Sequence, residues 1–523
     1  MKEALAINMM RRVAYGDCLR RTTRRYPKRE AVIFGDTRLT FEQLNTKANR
    51  FGNALLKRNL PKGTKVGFIS LNSAEHFIAF YGTAKAGMVF VPINPLFKPD
   101  ELAYAVNHAD CEVLVFDGQI YPFIKDTFDK FEQVKHVIAF NPPSEKFQDF
   151  DSFLEEGSPD EPEVIINEHD TLIILYTGGT TSYPRAAELT HLSFFVCTNS
   201  VLIDQNFTHH NSTVMVMPLF HVGAFIATTL YLFVGGCVIV MPTLDMKQIM
   251  EAIEKEKATH LLLLSPLWRM FLDHPDFGKY DLSSIQDATY FAAVMPEDLL
   301  LEVMEKFCPN LSLHFGQTEM SPSVTVFKPE DQLRKMKSLG NSTVHVEIGV
   351  MDGNGNLLPP GEIGEFVYRA PTVMKGYYKD KKATEEAFKY GWFHSGDLGY
   401  LDEDNFVYFV DRKKDMIKTG GENVASIEVE KAIYLDPRVQ EVCILGLPHE
   451  RWSEAITAFV IPKPGQTITE EEIISLCKEN MVGFKVPKKV VFLDTSELPR
   501  SAVGKVLKYK LKESHGDLYK GEH

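Results

Sequence analysis

At 523 residues the chain is roughly three to four times a typical domain length, so several domains are expected, each with room for a sizeable core. Hydrophobic residues at 44% and charged residues at 24% describe an ordinary soluble composition, and a formal net charge of -13 argues against non-specific nucleic-acid binding, which needs a basic surface to displace counterions from phosphates. The seven cysteines are scattered, odd in number and without a Cys-x-x-Cys spacing, which points to reduced thiols in a cytoplasmic protein.

The N-terminus has no apolar signal-peptide core. Its arginines (Arg11, Arg12, Arg20, Arg21, Arg24, Arg25) suit a solvated first helix leading into the fold, given Glu3, Asp17 and the continuation PKREAVIFGDTRLTFEQL, and leave room for a weak peripheral membrane contact. Residues 65–117 alternate as a βαβαβ unit: GFISL, MVFVPI and CEVLVFD read as strands, SAEHFIAFYGTAKAG as a helix ended by Gly87, and KPDELAYAVNHA as a second helix. Parallel pairing follows from such crossovers. The more polar stretch 141–163, NPPSEKFQDFDSFLEEGSPDEPE, reads as a surface excursion.

Leu172, Ile173, Ile174 and Leu175 then form an apolar strand that opens into LYTGGTTSYPRAAELTH, residues 175–191. Adjacent glycines let the backbone approach a bulky anion, and successive amides with the Thr180 and Thr181 hydroxyls can donate several hydrogen bonds to phosphate oxygens. That is a chemistry for triphosphate, although no Lys-Ser or Lys-Thr follows the glycines as a Walker A loop would require. Residues 213–241 contain no Asp, Glu, Lys or Arg, and His221 is their only side chain that ionises near neutral pH, yet Pro218, Gly223, Gly235 and Gly236 cut the stretch into a strand, a loop, a helix and a strand, each too short to span a bilayer. A helix, MKQIMEAIEKEKA, and another apolar run, HLLLLSPLW, continue the alternation. After Asp411 the chain turns lysine-rich, passes Gly420 and Gly421, and offers short elements (SIEVEKAIYL, EVCILGLP, EAITAFVIP, EEIISLCKENM, KVVFLD) that suit a small α+β domain on a hinge.

The 175–191 loop resembles the Tyr-Thr-Ser-Gly-Thr-Thr-Gly-x-Pro-Lys-Gly loop of the AMP-forming adenylating family, which comprises acyl-CoA synthetases, luciferases and peptide-synthetase adenylation domains. HFGQTE at 314–319, WFHSGDLGYLD at 392–402, FVDRKKDMIKTGGENV at 409–424 and LPRSAVGKVLK at 498–508 are similar to further motifs of that family, in the same order and over nearly the whole chain. Gly178 stands where Ser is usual, Ser182 and Ala186 where Gly is, and Arg185 where Lys is; Phe291 replaces the first glycine of a Gly-Ala-Ala-Pro stretch, and Ser453 a common glycine.

The resemblance implies an α/β fold, with a large N-terminal domain of mixed, mostly parallel sheets and packed helices over residues 1–411. A small mobile α+β domain, 412–523, would hinge near Lys414. It implies that Thr177, Gly178, Gly179, Thr180, Thr181 and Arg185 bind phosphate, that Phe315, with Gly316 and Gln317, stacks on adenine, that Thr318 lies near the α-phosphate, and that Glu319 holds Mg²⁺. Asp397 and Arg412 would bind ribose, Gly420 and Gly421 would line the entry of the coenzyme A thiol, and Lys505, following Gly504, would be the adenylation lysine. His221 is either a core histidine or a neighbour of the acyl pocket.

The implied activity is an acid:CoA ligase, most like a fatty-acid or aryl acid:CoA ligase, using ATP, Mg²⁺ and coenzyme A on an apolar carboxylic acid. Phe220, Ala224, Phe225, Phe291 and Met295 are expected around its pocket. Two alternatives are an acyl-AMP ligase loading a carrier-protein pantetheine, and a catalytically weak descendant that binds nucleotide or acyl-adenylate. No nucleic-acid partner and no membrane span are expected, and a homodimer is compatible with the family.

Overall fold

In the computed structural model, which describes residues 2–177, 184–291, 293–500 and 506–520, the alternation over 65–117 becomes three parallel strands, Lys65–Ile69, Val89–Ile93 and Cys111–Asp117, joined by helices Glu75–Lys85 and Pro99–His108. Thr171–Thr177 pairs beside Val89–Ile93, and the described residues complete an eight-stranded sheet with Arg185–Thr190 and Gly376–Tyr377 at one edge and His136–Phe140 and Gln148–Asp149 at the other. The strands next to the centre read as continuous apolar runs because both faces are covered, with Ile69, Val91, Leu114 and Ile174 fully buried.

A nine-stranded sheet is the second layer. Parallel strands Leu311–Gly316, Asp287–Phe291, His260–Leu264, Ser212–Met215, Cys237–Val240 and Glu30–Phe34 lie side by side in that order, flanked by antiparallel Ser323–Phe327 and Asn341–Ser342 at one edge and Thr37–Thr40 at the other. Residues 213–241 contribute two of these strands and the helix Val222–Val234, as their glycines and proline dictate. Among the described residues no helix is long and apolar enough to cross a membrane. Asn72, buried beyond the end of Lys65–Ile69, ties the sheets together: its Nδ2 donates to the Met217 and Met241 carbonyls at 3.0 and 3.1 Å, and its Oδ1 accepts from Leu219 N at 2.8 Å.

The stretch 141–163 differs from its polar reading. Asp149 caps a helix, Phe150–Glu156, whose Phe150, Phe153 and Leu154 are buried, Phe153 lying edge-on to Phe51 at 5.2 Å. The three apolar residues recur at i, i+3 and i+4, enough to seat one face of two helical turns amid charged neighbours.

Contacts divide the chain into two compact units. Both large sheets belong to the first, Met1–Ile348 with Tyr368–Phe393 and Asn405–Val407; the second is Gly349–Val367, His394–Asp404 and Tyr408–His523. Strands Glu347–Met351, Gly364–Arg369, Phe393–Leu401 and Val407–Arg412 form a four-stranded sheet, most of it in the second unit. The C-terminal sheet pairs Val439–His449 with Ser453–Pro462, to which Lys489–Phe492 adds in parallel. One of its faces packs Ile444, Ile456 and Val460 with Val429 and Ile473 of helices Ser426–Ile433 and Glu470–Asn480. The other packs Leu445 and Phe459 with Leu511 of the helix Lys508–His515.

Candidate active site

The phosphate-loop segment of the sequence is preceded and followed by strands. Thr171–Thr177 runs antiparallel to Arg185–Thr190, with Thr177 opposite Arg185 and its hydroxyl 3.3 Å from the Arg185 carbonyl. Gly178, Gly179, Thr180, Thr181 and Ser182, between them in the chain, lie outside the described residues. Ala186, where the family has glycine, is buried in the sheet.

The HFGQTE motif ends the strand Leu311–Gly316. Phe315 is nearly covered, and a Cβ on Gly316 would come within 1.9 Å of the Pro322 carbonyl oxygen, so only glycine lets the chain double back into Ser323–Phe327. Between them a single 3₁₀ turn, Thr318–Met320, leaves Gln317, Thr318 and Glu319 partly exposed. Met374 N donates to the Glu319 carbonyl at 2.7 Å, and the Tyr377 hydroxyl donates to the Glu319 carboxylate at 2.8 Å. Burial and the neighbouring carboxylate hold the Tyr377 phenol well above its usual range, so it is a neutral donor. The Arg185 guanidinium lies over the Tyr377 ring, 5.3 Å from its centroid. Thus Arg185 and Glu319 meet through Tyr377, a residue the motifs did not disclose: it stands 58 positions from Glu319, in no phosphate or carboxylate pattern.

No cation comes within ion-pair distance of Glu319 among the described residues, and no group of three or more His, Cys, Asp and Glu side chains gathers there as a metal site. Mg²⁺ characteristically takes one or two carboxylates, with phosphates and water filling the rest of its shell, so this open, hydrogen-bonded carboxylate fits that ion.

His221 is exposed, at the N-cap of the helix Val222–Val234, and is therefore not a core histidine. Its neighbours need correcting in the other direction. Phe225, one turn on, is fully buried against Phe80, Phe90 and Phe194, and Ala224 is buried too, so both serve the core rather than an acid pocket. Met295 is also buried, while Phe220 and Phe291 remain partly exposed.

In the second unit the Arg412 Nε lies 3.5 Å from the buried Asp397 carboxylate, bringing together the two residues expected on the ribose. Gly396 beside them donates from its N to Glu365 Oε1 at 3.0 Å, and Glu365 also takes Lys413 Nζ at 2.8 Å and His394 Nδ1 at 3.0 Å. Burial would raise the Glu365 carboxyl, but Lys413 and His394 bring it below the usual range. Lys414 is the reverse case: burial, aided by Arg412 and Lys508, lowers it despite Asp415 and Asp397. Gly420 and Gly421 turn a hairpin between Ile417–Thr419 and Glu422–Val424 at φ of 59° and 86°, conformations that glycine adopts without strain. Ser453, where the family has glycine, is likewise left-handed, at φ 68°. Gly504 and Lys505 lie outside the described residues.

Against known proteins, residues 19–378 match the AMP-binding enzyme family and residues 428–505 the AMP-binding enzyme C-terminal domain. The chain belongs to the AMP-binding enzyme family. It is 31% identical to a feruloyl-CoA synthase of Amycolatopsis sp over 97% of this chain and 100% of that protein, and 31% identical to the long-chain-fatty-acid–CoA ligase FadD13 of Mycobacterium tuberculosis over 92% and 94%. Among solved structures, ATP-bound MatB from Rhodopseudomonas palustris superposes with a TM-score of 0.88 at 27% identity, covering 97% of this chain and 100% of that one. An AMP-binding enzyme accounts for both the strand-end motif around Glu319 and the lysine-rich segment after Asp411.

Proposed function

We propose that this protein is an AMP-forming acid:CoA ligase. A carboxylate oxygen of the acid attacks the α-phosphorus of ATP and pyrophosphate leaves. The coenzyme A sulfur then attacks the acyl carbon of the mixed anhydride and AMP departs with its oxygen. The observation that carries the reading is the Glu319 carboxylate, fixed by a neutral phenol directly after Phe315 and Gly316 and offered to no protein cation among the described residues.

Two unit negative charges about 4 Å apart repel by roughly 4 kcal/mol at an effective dielectric near 20, so bringing a carboxylate to a phosphate requires cations. Mg²⁺ held on Glu319 would neutralise the phosphates as pyrophosphate leaves. Arg185 keeps positive charge beside the phosphate loop, and Lys505 would stand between the reacting oxygens. Asp397 and Arg412 would hold the ribose. The second half-reaction is assigned to a swing of residues 412–523 about Lys414 that withdraws Lys505 and presents Gly420 and Gly421 to the thiol. His221, exposed at a helix N-terminus, would lie beside the acyl group. A cytoplasmic location is part of the proposal and rests on seven unpaired cysteines, six of them buried.

Lys505→Ala tests the assignment. Adenylate formation, followed as acid-dependent ATP–pyrophosphate exchange, should fall by a factor on the order of 10² or more, whereas thioester formation from supplied acyl-adenylate should be largely spared. Equal loss in both half-reactions contradicts the role given to that ammonium.

A further inference from the structure

The ligase reading leaves the acid unspecified, and relatives of equal identity act on feruloyl and on long-chain groups by their names. The geometry of the nine-stranded sheet narrows the choice. Leu264, Phe291 and His314 are partners in register on three neighbouring parallel strands, so their side chains share one face and form one row. One residue earlier the corresponding row, Leu263, Tyr290 and Leu313, is completely buried on the opposite face, whereas Leu264, Phe291 and His314 are all partly exposed. This row lies toward the C-terminal ends of parallel strands, where α/β sheets bind ligands, and Phe315 of the nucleotide motif follows His314 directly in the chain.

None of the three side chains is small. Strands lie about 4.8 Å apart, so the row sets three bulky side chains side by side over roughly 10 Å. The imidazole at one end has Nδ1 3.4 Å from the Ser323 hydroxyl, and among the described residues Nε2 has no hydrogen-bond partner. Burial lowers the His314 ring to about 4, so near neutral pH it offers a hydrogen bond and no charge. Ser265, next in the chain after Leu264, is likewise buried with an unpartnered hydroxyl. Beneath the row, on the same face, a hydrogen-bonded chain of buried side chains runs from the Tyr231 hydroxyl through His260 and Thr289 to Ser312 and fills the next positions of the sheet.

Resting on the ligase reading above, we propose that Leu264, Phe291 and His314 are the end wall of the acid site. They restrict the substrate to a compact, ring-sized carboxylic acid, with His314 hydrogen-bonding a neutral polar substituent such as a hydroxyl at its far end.

ATP–pyrophosphate exchange by the full chain with benzoate, 4-hydroxybenzoate and palmitate tests this. The expected order of kcat/KM is 4-hydroxybenzoate, benzoate, palmitate, with at least about tenfold between the first and the last. Phe291→Gly and His314→Gly should raise kcat/KM for palmitate about tenfold while lowering it for the ring acids, and His314→Phe should abolish the preference for the hydroxyl. Palmitate preferred by the wild-type protein, or a ranking unmoved by the glycine variants, overturns the wall and leaves the ligase intact. No exchange with any of these acids or with a broader acid panel removes the ligase itself. The wild-type ranking decides even where a glycine variant fails to fold.

Discussion

The two units offer contrasting examples of how polar groups are held. In the first, burial drives the rings of His76, His191, His260 and His314 down to about 3, 4, 3 and 4, and Glu319 is fixed by a phenol. In the second, the polar groups stand in ion pairs: Arg412 with Asp397, Lys413 with Glu365, Lys508 with Glu430. A neutral scaffold around a lone carboxylate keeps that negative charge available to a cation. The cations of the first two pairs are solvent-exposed, so their attractions are partly screened and can be exchanged for others, which suits an element assigned to change partners between half-reactions.

The contrast breaks most visibly with pH. Below pH 6.5 the unfolded chain binds protons on these four histidines that the folded chain refuses, so stability must fall as pH falls; between pH 6.5 and 5 each ring costs about 2 kcal/mol. Glu365, depressed in the folded state, behaves differently: its contribution is present above the ordinary carboxylate value and is lost only as pH drops through its own lower one, so pH 5 leaves it in place. Hydrogen exchange at pH 7 and 5, corrected for intrinsic rates, should show protection lost first in His260–Leu264 and retained in Val439–His449. Parallel loss in both strands would erase the distinction between the units.

Next in size is Glu319→Gln. Glutamine can still accept the Tyr377 hydroxyl, so the cradle survives and only the charge goes. Pyrophosphate exchange should drop by a factor on the order of 10², with the Mg²⁺ requirement shifted to higher concentration, while thioester formation from acyl-adenylate persists. Wild-type exchange in this variant would mean that the carboxylate is structural.

What the sequence made legible follows the same line. Parallel strands announced themselves as unbroken apolar runs, and motifs whose geometry is local, Phe315 to Glu319 or Gly420 with Gly421, could be placed on strand ends and hairpins from residue type alone. Tyr377 could not, because its meeting with Glu319 depends on the pairing of Gly376–Tyr377 with Arg185–Thr190, a long-range register that no short pattern encodes. Phe225 misled for a related reason: adjacency to His221 in a helix says nothing of which side faces the core, and the interior aromatic cluster claimed it. The helix Phe150–Glu156 hid behind its charges, three apolar residues in seven being too few to lift it above the polar background.

The smallest effect sharpens the comparison from the other side. Lys508 Nζ donates to the Ser426 hydroxyl at 2.8 Å and lies 3.5 Å from Glu430, while the Ser426 amide donates to Asp411, whose other oxygen accepts from Arg412 N at 2.7 Å. The ammonium thus ties the helix Lys508–His515 to the residues flanking Lys414. Burial alone would lower the lysine, but Glu430, Cys443, Asp415 and Asp411 raise it above 10.5. A raised lysine stabilises fully below its unfolded value and ceases to do so as pH climbs through its folded one. Lys508→Met should therefore cost about 1 kcal/mol near neutral pH, read as urea unfolding of the second unit, and the gap from wild type should narrow above pH 10.5. A gap independent of pH would assign the loss to side-chain packing and take Lys508 out of the ion-paired set.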